Sequence, residues 1–114
     1  MRWWRATLNS KNGLILALRS ERAVREEVVA VLLAIPLAFV VATTAMRAIE
    51  LISVVALVLV VELLNSAVEK LADRVTLERD PQIGAVKDIG SAAVGVTLLM
   101  ALAFWIFAVF ERLG

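Results

Sequence analysis

Long apolar segments, each about the length of a membrane-spanning helix, alternate with short charged segments along this chain. The segments Val28 to Met46 and Ile89 to Phe110 contain no charged residue, and Leu51 to about Leu71 is apolar until its second half. A helix needs roughly 20 residues to cross a hydrocarbon core of about 30 Å. The pattern therefore predicts an all-α integral membrane protein with three transmembrane helices. Their expected bounds are about residues 28–47, 50–73 and 87–111.

The segment before the first span predicts a helix at the membrane surface. Trp3 and Trp4 lie among basic residues, and this combination of side chains suits the lipid headgroup layer. We expect an N-terminal interfacial amphipathic helix within about residues 1–27, with a break at Asn12-Gly13. A single membrane domain, residues 1–114, then accounts for the whole chain.

Basic residues are distributed unevenly among the segments outside the spans. Six Lys/Arg precede the first span and four lie between spans two and three, whereas the other two segments have one each. By the positive-inside rule, the N-terminus and the loop between spans two and three face the cytoplasm. The second half of span two then lies in the cytoplasmic half of the membrane.

The amino-acid composition restricts the chemistry that this chain can perform. The chain is 61% hydrophobic and contains neither cysteine nor histidine. That composition excludes disulfides, thiol or imidazole catalysis, and a metal site built from Cys and His. Any reaction must use Asp, Glu, Lys, Arg, Asn, Ser and backbone groups.

A stripe of polar residues occupies the second half of span two. Its members are Glu62, Asn65, Ser66, Glu69 and Asp73. At 100° per residue they fall within roughly 100° of one another on a helix. Each acidic side chain at bilayer depth costs about 3 kcal/mol on insertion scales, so the stripe predicts a functional site that faces a bundle interior or a wet cavity. A structural seam of hydrogen bonds is the alternative, but its like charges would need protons, cations or a metal.

Three charged residues outside the stripe are further candidates. Lys87 and Asp88 begin span three at the depth of the stripe's lower end, where they predict either a phosphoryl-binding pair or an interfacial ion pair. Glu21 falls on an apolar helical face, where a carboxylate needs a partner or a metal, unless it lies among the headgroups.

This set of side chains predicts a class of reaction. Carboxylates with a lysine are ligands for Mg²⁺ and phosphates, although the chain has no Walker motif and no kinase glycine-rich loop. A site that begins in lipid and ends in cytosol suits phosphoryl transfer from a soluble donor to a lipid alcohol.

The order of these motifs resembles that of the prokaryotic diacylglycerol kinase family of small three-span membrane enzymes. The resemblance covers nearly the whole chain. It is carried by E-x-x-N-S-A-x-E-x-x-x-D at Glu62–Asp73, by K-D-x-G-S-A-A-V at Lys87–Val94, and by R-x-E-x-x-A-V-L-L-A from Arg25 to Ala34. The acidic pair Glu26-Glu27 at the entrance to the first span departs from the family pattern.

The resemblance implies a homotrimer in the bacterial inner membrane that transfers the γ-phosphate of ATP to diacylglycerol with Mg²⁺. Its sites would be shared between subunits, and no nucleic acid would take part. Glu62 would be the general base toward the lipid hydroxyl, Asn65 would position substrate beside it, and Lys87 would contact the γ-phosphate. Glu21 and Glu69 would hold the metal. The residues expected to bind nucleotide are Glu21, Glu69, Asp73, Lys87 and Asp88, and those expected on the lipid side are Arg2, Glu62 and Ser91.

The sequence leaves three other functions open. Undecaprenol in place of diacylglycerol would keep the same mechanism. A small oligomeric ion or proton channel subunit would use the stripe as an ion path, but it needs polar positions toward the outer leaflet. There, span two offers only Ser53 and span three offers only Thr97. A non-catalytic assembly subunit would leave the acidic stripe without a role.

Overall fold

A computed structural model describes residues 2–114, which form four α-helices joined by short connections. The helices are α1 (Arg2–Ser20), α2 (Arg22–Val41), α3 (Ala45–Val75) and α4 (Pro81–Leu113). No β-strand occurs within residues 2–114, so the expected all-α class is confirmed. Met1, the first residue of the expected surface segment, lies outside the described residues.

The expected break at Asn12-Gly13 is wrong, because α1 continues through both residues. A single glycine within a helix costs about 1 kcal/mol relative to alanine. The leucine-rich and alanine-rich turns that follow Gly13 favour the helix and offset that cost. Gly13 also has no positive φ angle that would end the helix there.

The first change of chain direction lies at Glu21 instead. This residue has extended backbone angles, with φ −119° and ψ 112°, and separates α1 from α2. The guanidinium of Arg25 donates to the carbonyl oxygens of Leu18 at 2.9 Å and Arg19 at 3.1 Å. These bonds satisfy carbonyl groups at the end of α1, which have no partner within the helix. Glu21 is thereby held at a corner between two helices.

Three residues, 42–44, connect α2 to α3, and both helices have bounds that differ from the expected spans. α2 ends at Val41 rather than near residue 47, and α3 begins at Ala45 rather than near residue 50. Thr44 explains the difference, because its side-chain oxygen accepts a hydrogen bond from the backbone nitrogen of Arg47 at 3.1 Å. This cap starts a new helix within a stretch that hydropathy alone assigns to one span.

α4 also begins earlier than expected, at Pro81 instead of near residue 87. The Asp80 carboxylate accepts hydrogen bonds from the backbone nitrogens of Gln82 at 2.8 Å and Ile83 at 3.2 Å. Proline suits the first helical position, since the N–H that it lacks would have no partner within the helix. As a result, Lys87 lies inside α4 rather than at its start.

Two of the described helices, α3 and α4, are long and apolar enough to cross a membrane. α2 has 20 residues, but charged residues occupy its first two turns. Its uninterrupted apolar part is Val28–Val41. The long apolar helices are therefore typical of a membrane protein, and α3 and α4 are the candidate spans that meet the length and hydropathy requirements.

α3 is the central helix of the bundle. Both α2 and α4 pack along it, whereas α2 and α4 have little contact with each other. Near the α2–α3 connection, Ala38, Ala48, Leu51 and Ala108 form a buried core. The alanines allow close approach of the helices, and the indole nitrogen of Trp105 donates to the Leu51 carbonyl at 3.3 Å. α3 thus has neighbours on two sides.

A charged cluster joins α3 to the C-terminal end of α4. The Arg47 guanidinium donates to the two Glu111 carboxylate oxygens, through Nε at 3.1 Å and through Nη2 at 3.2 Å, and it also pairs with Glu50. It lies over the Phe107 ring, 4.8 Å from the centroid. The Thr43 hydroxyl donates to Glu111 at 3.1 Å. A bidentate ion pair combined with cation–π stacking fixes this end of the bundle.

Replacing Arg47 with Met should lower the midpoint temperature of thermal unfolding, because Arg47 then loses both its ion pair with Glu111 and its stacking on Phe107. Thermal unfolding in mild detergent measures the change. Arg112→Met is the matched control, since Arg112 is exposed on α4 and forms no ion pair within residues 2–114. Equal destabilisation by the two substitutions would contradict a specific role for Arg47.

Candidate active site

The polar stripe of α3 lies on one unbroken helix, as its spacing requires. Asn65 and Ser66 are buried, with 8% and 4% of their surface exposed. Glu62 and Glu69 are half-buried, and Asp73 is exposed. The stripe therefore runs from the packed part of the bundle toward the end of α3 that adjoins the α3–α4 loop.

Asn65 carries the amide side chain of the stripe, and this residue is buried. Its Nδ2 donates to Oε1 of Glu69 at 3.3 Å. Its Oδ1 is buried and accepts no hydrogen bond from residues 2–114. A buried amide oxygen without a donor costs about 1–3 kcal/mol, so it is a marked exception in a folded protein.

Glu21, a predicted metal ligand, is paired with a lysine of α3. Its Oε1 lies 3.0 Å from Nζ of Lys70, and 25% of the Glu21 side chain and 45% of the Lys70 side chain are exposed. The corner between α1 and α2 places Glu21 against α3, next to the stripe. The partner that a carboxylate on this face requires is therefore a lysine within the same chain.

Four carboxylates surround the half-buried end of the stripe. Glu62 experiences the negative charges of Glu27 on α2, Glu69 on α3 and Glu21 at the α1–α2 corner. Within residues 2–114, however, no three acidic side chains converge on one point closely enough to hold a metal ion. The two predicted metal ligands thus both lie near Glu62, with Glu21 paired to Lys70, and they do not form a closed protein cage.

Two of the predicted nucleotide-binding residues meet at the exposed end of the stripe. Nζ of Lys87 lies 2.6 Å from Oδ1 of Asp73, and nearly half of each side chain is exposed. Because α4 begins at Pro81, it runs back along α3 and brings Lys87 to the level of Asp73. Lys87 therefore lies level with the lower end of the stripe and forms an ion pair with Asp73.

Three predicted site residues make no polar contact with the stripe. Asp88 and Ser91 are exposed on α4 and form no side-chain hydrogen bond or ion pair within residues 2–114. Arg2 lies at the start of α1, with its guanidinium 5.7 Å from the Trp3 ring centroid. Within a single chain, the expected lipid-side residues Arg2 and Ser91 are thus not assembled around Glu62.

Two apolar grooves border the stripe. One, of about 350 Å³, lies between α1 and α3 and is lined by Leu14, Ala17, Leu63 and Ser66, with Lys70 at its margin. The other, of about 370 Å³, lies between α3 and α4. Asn65 is the polar side chain that lines this second groove. Together, grooves of this kind beside carboxylates and lysines can accommodate a molecule with an apolar chain and a polar head.

Comparison with known proteins agrees with this arrangement. Residues 8–109 match the family model described as prokaryotic diacylglycerol kinase. The chain belongs to the prokaryotic diacylglycerol kinase family. Among its relatives, the diacylglycerol kinase of Escherichia coli is 41% identical over 105 residues, which are 92% of this chain and 86% of that protein. The resemblance inferred from the motifs is therefore confirmed.

Further relatives with the same name cover similar shares. The diacylglycerol kinase of Pseudomonas aeruginosa is 42% identical over 100 residues, which are 88% of this chain and 81% of that protein. The diacylglycerol kinase of Haemophilus influenzae is 41% identical over 100 residues, which are 88% of this chain and 85% of that protein. The chain therefore spans most of the length of these family members.

The roles of two residues at the site, Lys70 and Glu27, were not predicted from the sequence. Lys70 follows the stripe residue Glu69 directly, but its pairing with Glu21 depends on where α1 turns. Glu27 was noted only as part of an acidic entrance, yet its charge acts on Glu62. Both effects act between residues that are far apart in the sequence, and no local spacing signals them.

Proposed function

We propose that the protein is an integral membrane kinase that transfers the γ-phosphate of ATP to diacylglycerol and produces phosphatidic acid. One observation carries the proposal: the stripe is continuous from half-buried Glu62, beside apolar grooves, to the exposed Lys87–Asp73 pair. A lipid hydroxyl reaches the first end from the membrane, and a soluble nucleotide reaches the second from water. The names of the relatives in three bacteria support diacylglycerol as the acceptor.

In this proposal Glu62 is the general base. Its carboxylate accepts the proton of the lipid hydroxyl while the hydroxyl oxygen attacks the γ-phosphorus of ATP. The bond between the γ-phosphorus and the β–γ bridging oxygen breaks, and ADP leaves. Asn65, one helical turn further along α3, positions the reacting groups through its amide. Both residues lie where α3 is packed against its neighbours, which limits competing hydrolysis by water.

Lys87 neutralises charge on the γ-phosphate. In the unliganded chain its ammonium pairs with Asp73, so nucleotide phosphates compete with Asp73 for the same cation. Asp73 and Asp88 contribute to nucleotide binding from α3 and α4. Arg2 and Ser91 lie on the lipid side of the proposed site. These roles assign nucleotide to the exposed end of the stripe.

Mg²⁺ is the proposed cofactor, with Glu21 and Glu69 as its protein ligands. The donor set fits, because Mg²⁺ prefers hard oxygen ligands and is usually held by one or two carboxylates together with substrate phosphates. Both side chains lie close enough to act electrostatically on Glu62. When bound, the ion supplies positive charge to the phosphate oxygens. Glu69 is oriented for this role by its hydrogen bond from Asn65.

The proposed membrane topology has three spans with a cytoplasmic N-terminus in the bacterial inner membrane. α2 lies along α3 and is joined to it by three residues, so α3 cannot cross the bilayer unless α2 also lies within it. The apolar part of α2 is short, and its charged first turns would then lie in the headgroup layer. α1, with its exposed tryptophans, would lie on the cytoplasmic surface.

A homotrimer with shared sites is the proposed assembly. Large apolar side chains of α4, including Leu99 and Phe110, are 67% and 70% exposed on a single chain. Within residues 2–114 the side chains of Asp88 and Ser91 have no hydrogen-bond or ion-pair partner, as expected for residues that act on a neighbouring subunit's stripe. Apolar helix faces of this extent suit lipid and subunit contacts.

Glu62→Gln should lower phosphate transfer by at least about 100-fold, because general-base catalysis typically contributes 10²–10⁴-fold. The purified protein in mild detergent is given labelled ATP, Mg²⁺, and diacylglycerol or undecaprenol side by side. Glu78→Gln is the matched control, since Glu78 is exposed in the α3–α4 loop. Wild-type-like transfer by Glu62→Gln would refute the base assignment. Labelling of undecaprenol alone would show that undecaprenol, and not diacylglycerol, is the lipid acceptor.

Glu69→Gln should raise the Mg²⁺ concentration for half-maximal transfer by about tenfold or more, because an amide is a weaker ligand than a carboxylate. Titration of Mg²⁺ at saturating ATP measures the shift, with Glu78→Gln again as the control. Glu21→Gln should act in the same direction. An unchanged titration in both variants would exclude these residues as metal ligands.

Lys70→Met should have the opposite effect and lower the Mg²⁺ requirement, by up to about fivefold. Lys70 holds Glu21 in a partly exposed ion pair, which is worth up to about 1 kcal/mol and must open before Glu21 binds a cation. The same titration measures this change. A higher Mg²⁺ requirement in Lys70→Met would show that the pair helps to form the metal site.

A further inference from the structure

Gly90 of α4 lies directly against the amide of Asn65. A Cβ atom placed on Gly90 would be 2.1 Å from Oδ1 of Asn65 and 3.2 Å from its Cγ. The first distance is far below any van der Waals contact, so the amide oxygen occupies the volume that any other residue would fill with its side chain. The other glycines of the α4 interior differ, because a Cβ at Gly84 or Gly95 would meet nothing within 4 Å.

The Asn65 amide is held from two sides. On α3, its Nδ2 donates to Oε1 of Glu69 at 3.3 Å. Toward α4, its Oδ1 is buried and accepts no hydrogen bond from residues 2–114. The whole residue is only 8% exposed. One N–H of this amide is bonded to Glu69 and its oxygen has no donor, so the enclosed amide has one defined orientation on the same helix as the proposed base.

We propose that Gly90 is a positioning residue that sets the orientation of the Asn65 amide. The missing side chain at position 90 provides the space in which Oδ1 lies while Nδ2 bonds Glu69. The proposal rests on the proposed function, in which Asn65 and Glu69 belong to the phosphoryl-transfer site. Gly90 itself touches no reacting atom and acts only through Asn65.

A methyl group at position 90 should turn the amide without unfolding the bundle. The displaced atom is the end of a flexible side chain, and the groove of about 370 Å³ lined by both residues has room for it to rotate. Rotation moves Nδ2 away from Glu69 and breaks that hydrogen bond. Glu69 then loses the group that orients it, and the acceptor beside Glu62 points elsewhere.

Gly90→Ala should therefore lower the turnover number by about tenfold or more, the usual effect of losing a group that orients a ligand. Gly95→Ala adds the same methyl group to the same helix in open space and should leave turnover within about twofold of the wild type. The Mg²⁺ titration should shift upward in Gly90→Ala and stay unchanged in Gly95→Ala.

A double-mutant cycle tests whether the effect passes through Asn65. In an Asn65→Ala background the oxygen that Gly90→Ala would displace is absent, so the second substitution should cause no further loss. The double variant should also fold, even if Gly90→Ala alone proves unstable. A full additional loss of turnover, or a double variant that fails to fold, would overturn the proposal.

A readout that needs no substrate separates this proposal from the proposed function. Asn9, Asn12 and Asn65 are the asparagines of the chain, so ¹⁵N-asparagine labelling gives few side-chain amide signals, and Asn65→Ala identifies the one of interest. That signal should move in Gly90→Ala and not in Gly95→Ala. An unmoved signal overturns the positioning role. A moved signal in a protein that transfers no phosphate to any lipid supports positioning and refutes the kinase.

Discussion

Polar side chains on a helix at bilayer depth have to be shielded from lipid by other parts of the protein. The packing of the other helices around α3 meets this requirement. Charged and amide side chains exposed to hydrocarbon are costly, so α3 needs neighbours along its polar face. α2 and α4 both pack along α3, and the α1–α2 corner brings Glu21 to the same side. Asn65 and Ser66 are buried as a result.

The two ends of the bundle are held by interactions of different strength. At the α2–α3 connection, a bidentate Arg47–Glu111 pair stacked on an aromatic ring and a core of alanines fix the helices against one another. At the other end, the Lys70–Glu21 and Lys87–Asp73 pairs are single ion pairs whose side chains are partly exposed to solvent. Exposed ion pairs are weak and exchange readily, so their partners are available to phosphates and cations. The tightly packed end at the α2–α3 connection thus supports the opposite end, where the ion pairs can rearrange when a ligand binds.

The packing of α3 against α4 also connects stability with the proposed chemistry. The groove between these helices is apolar apart from Asn65. Gly90 also lines it, and the Asn65 amide occupies the space that a side chain at position 90 would need. An amide held in this way keeps its orientation because the surrounding atoms leave it little freedom. Preorganisation of this kind is what a transfer reaction between a lipid and a nucleotide requires, since positioning supplies most of the catalysis.

The sequence by itself determined the all-α class, the polar stripe and the family, because hydropathy and helical spacing are properties of neighbouring residues. It did not specify where the helices begin and end: α1 passes through Gly13, where we expected a break, and side-chain caps at Thr44 and Asp80 start helices that hydropathy does not detect. Only the tertiary structure decided that Lys70 holds Glu21 and that Gly90 makes room for Asn65. These contacts join residues on different helices, so they depend on how far apart and at what register the helices pack, which no local pattern specifies.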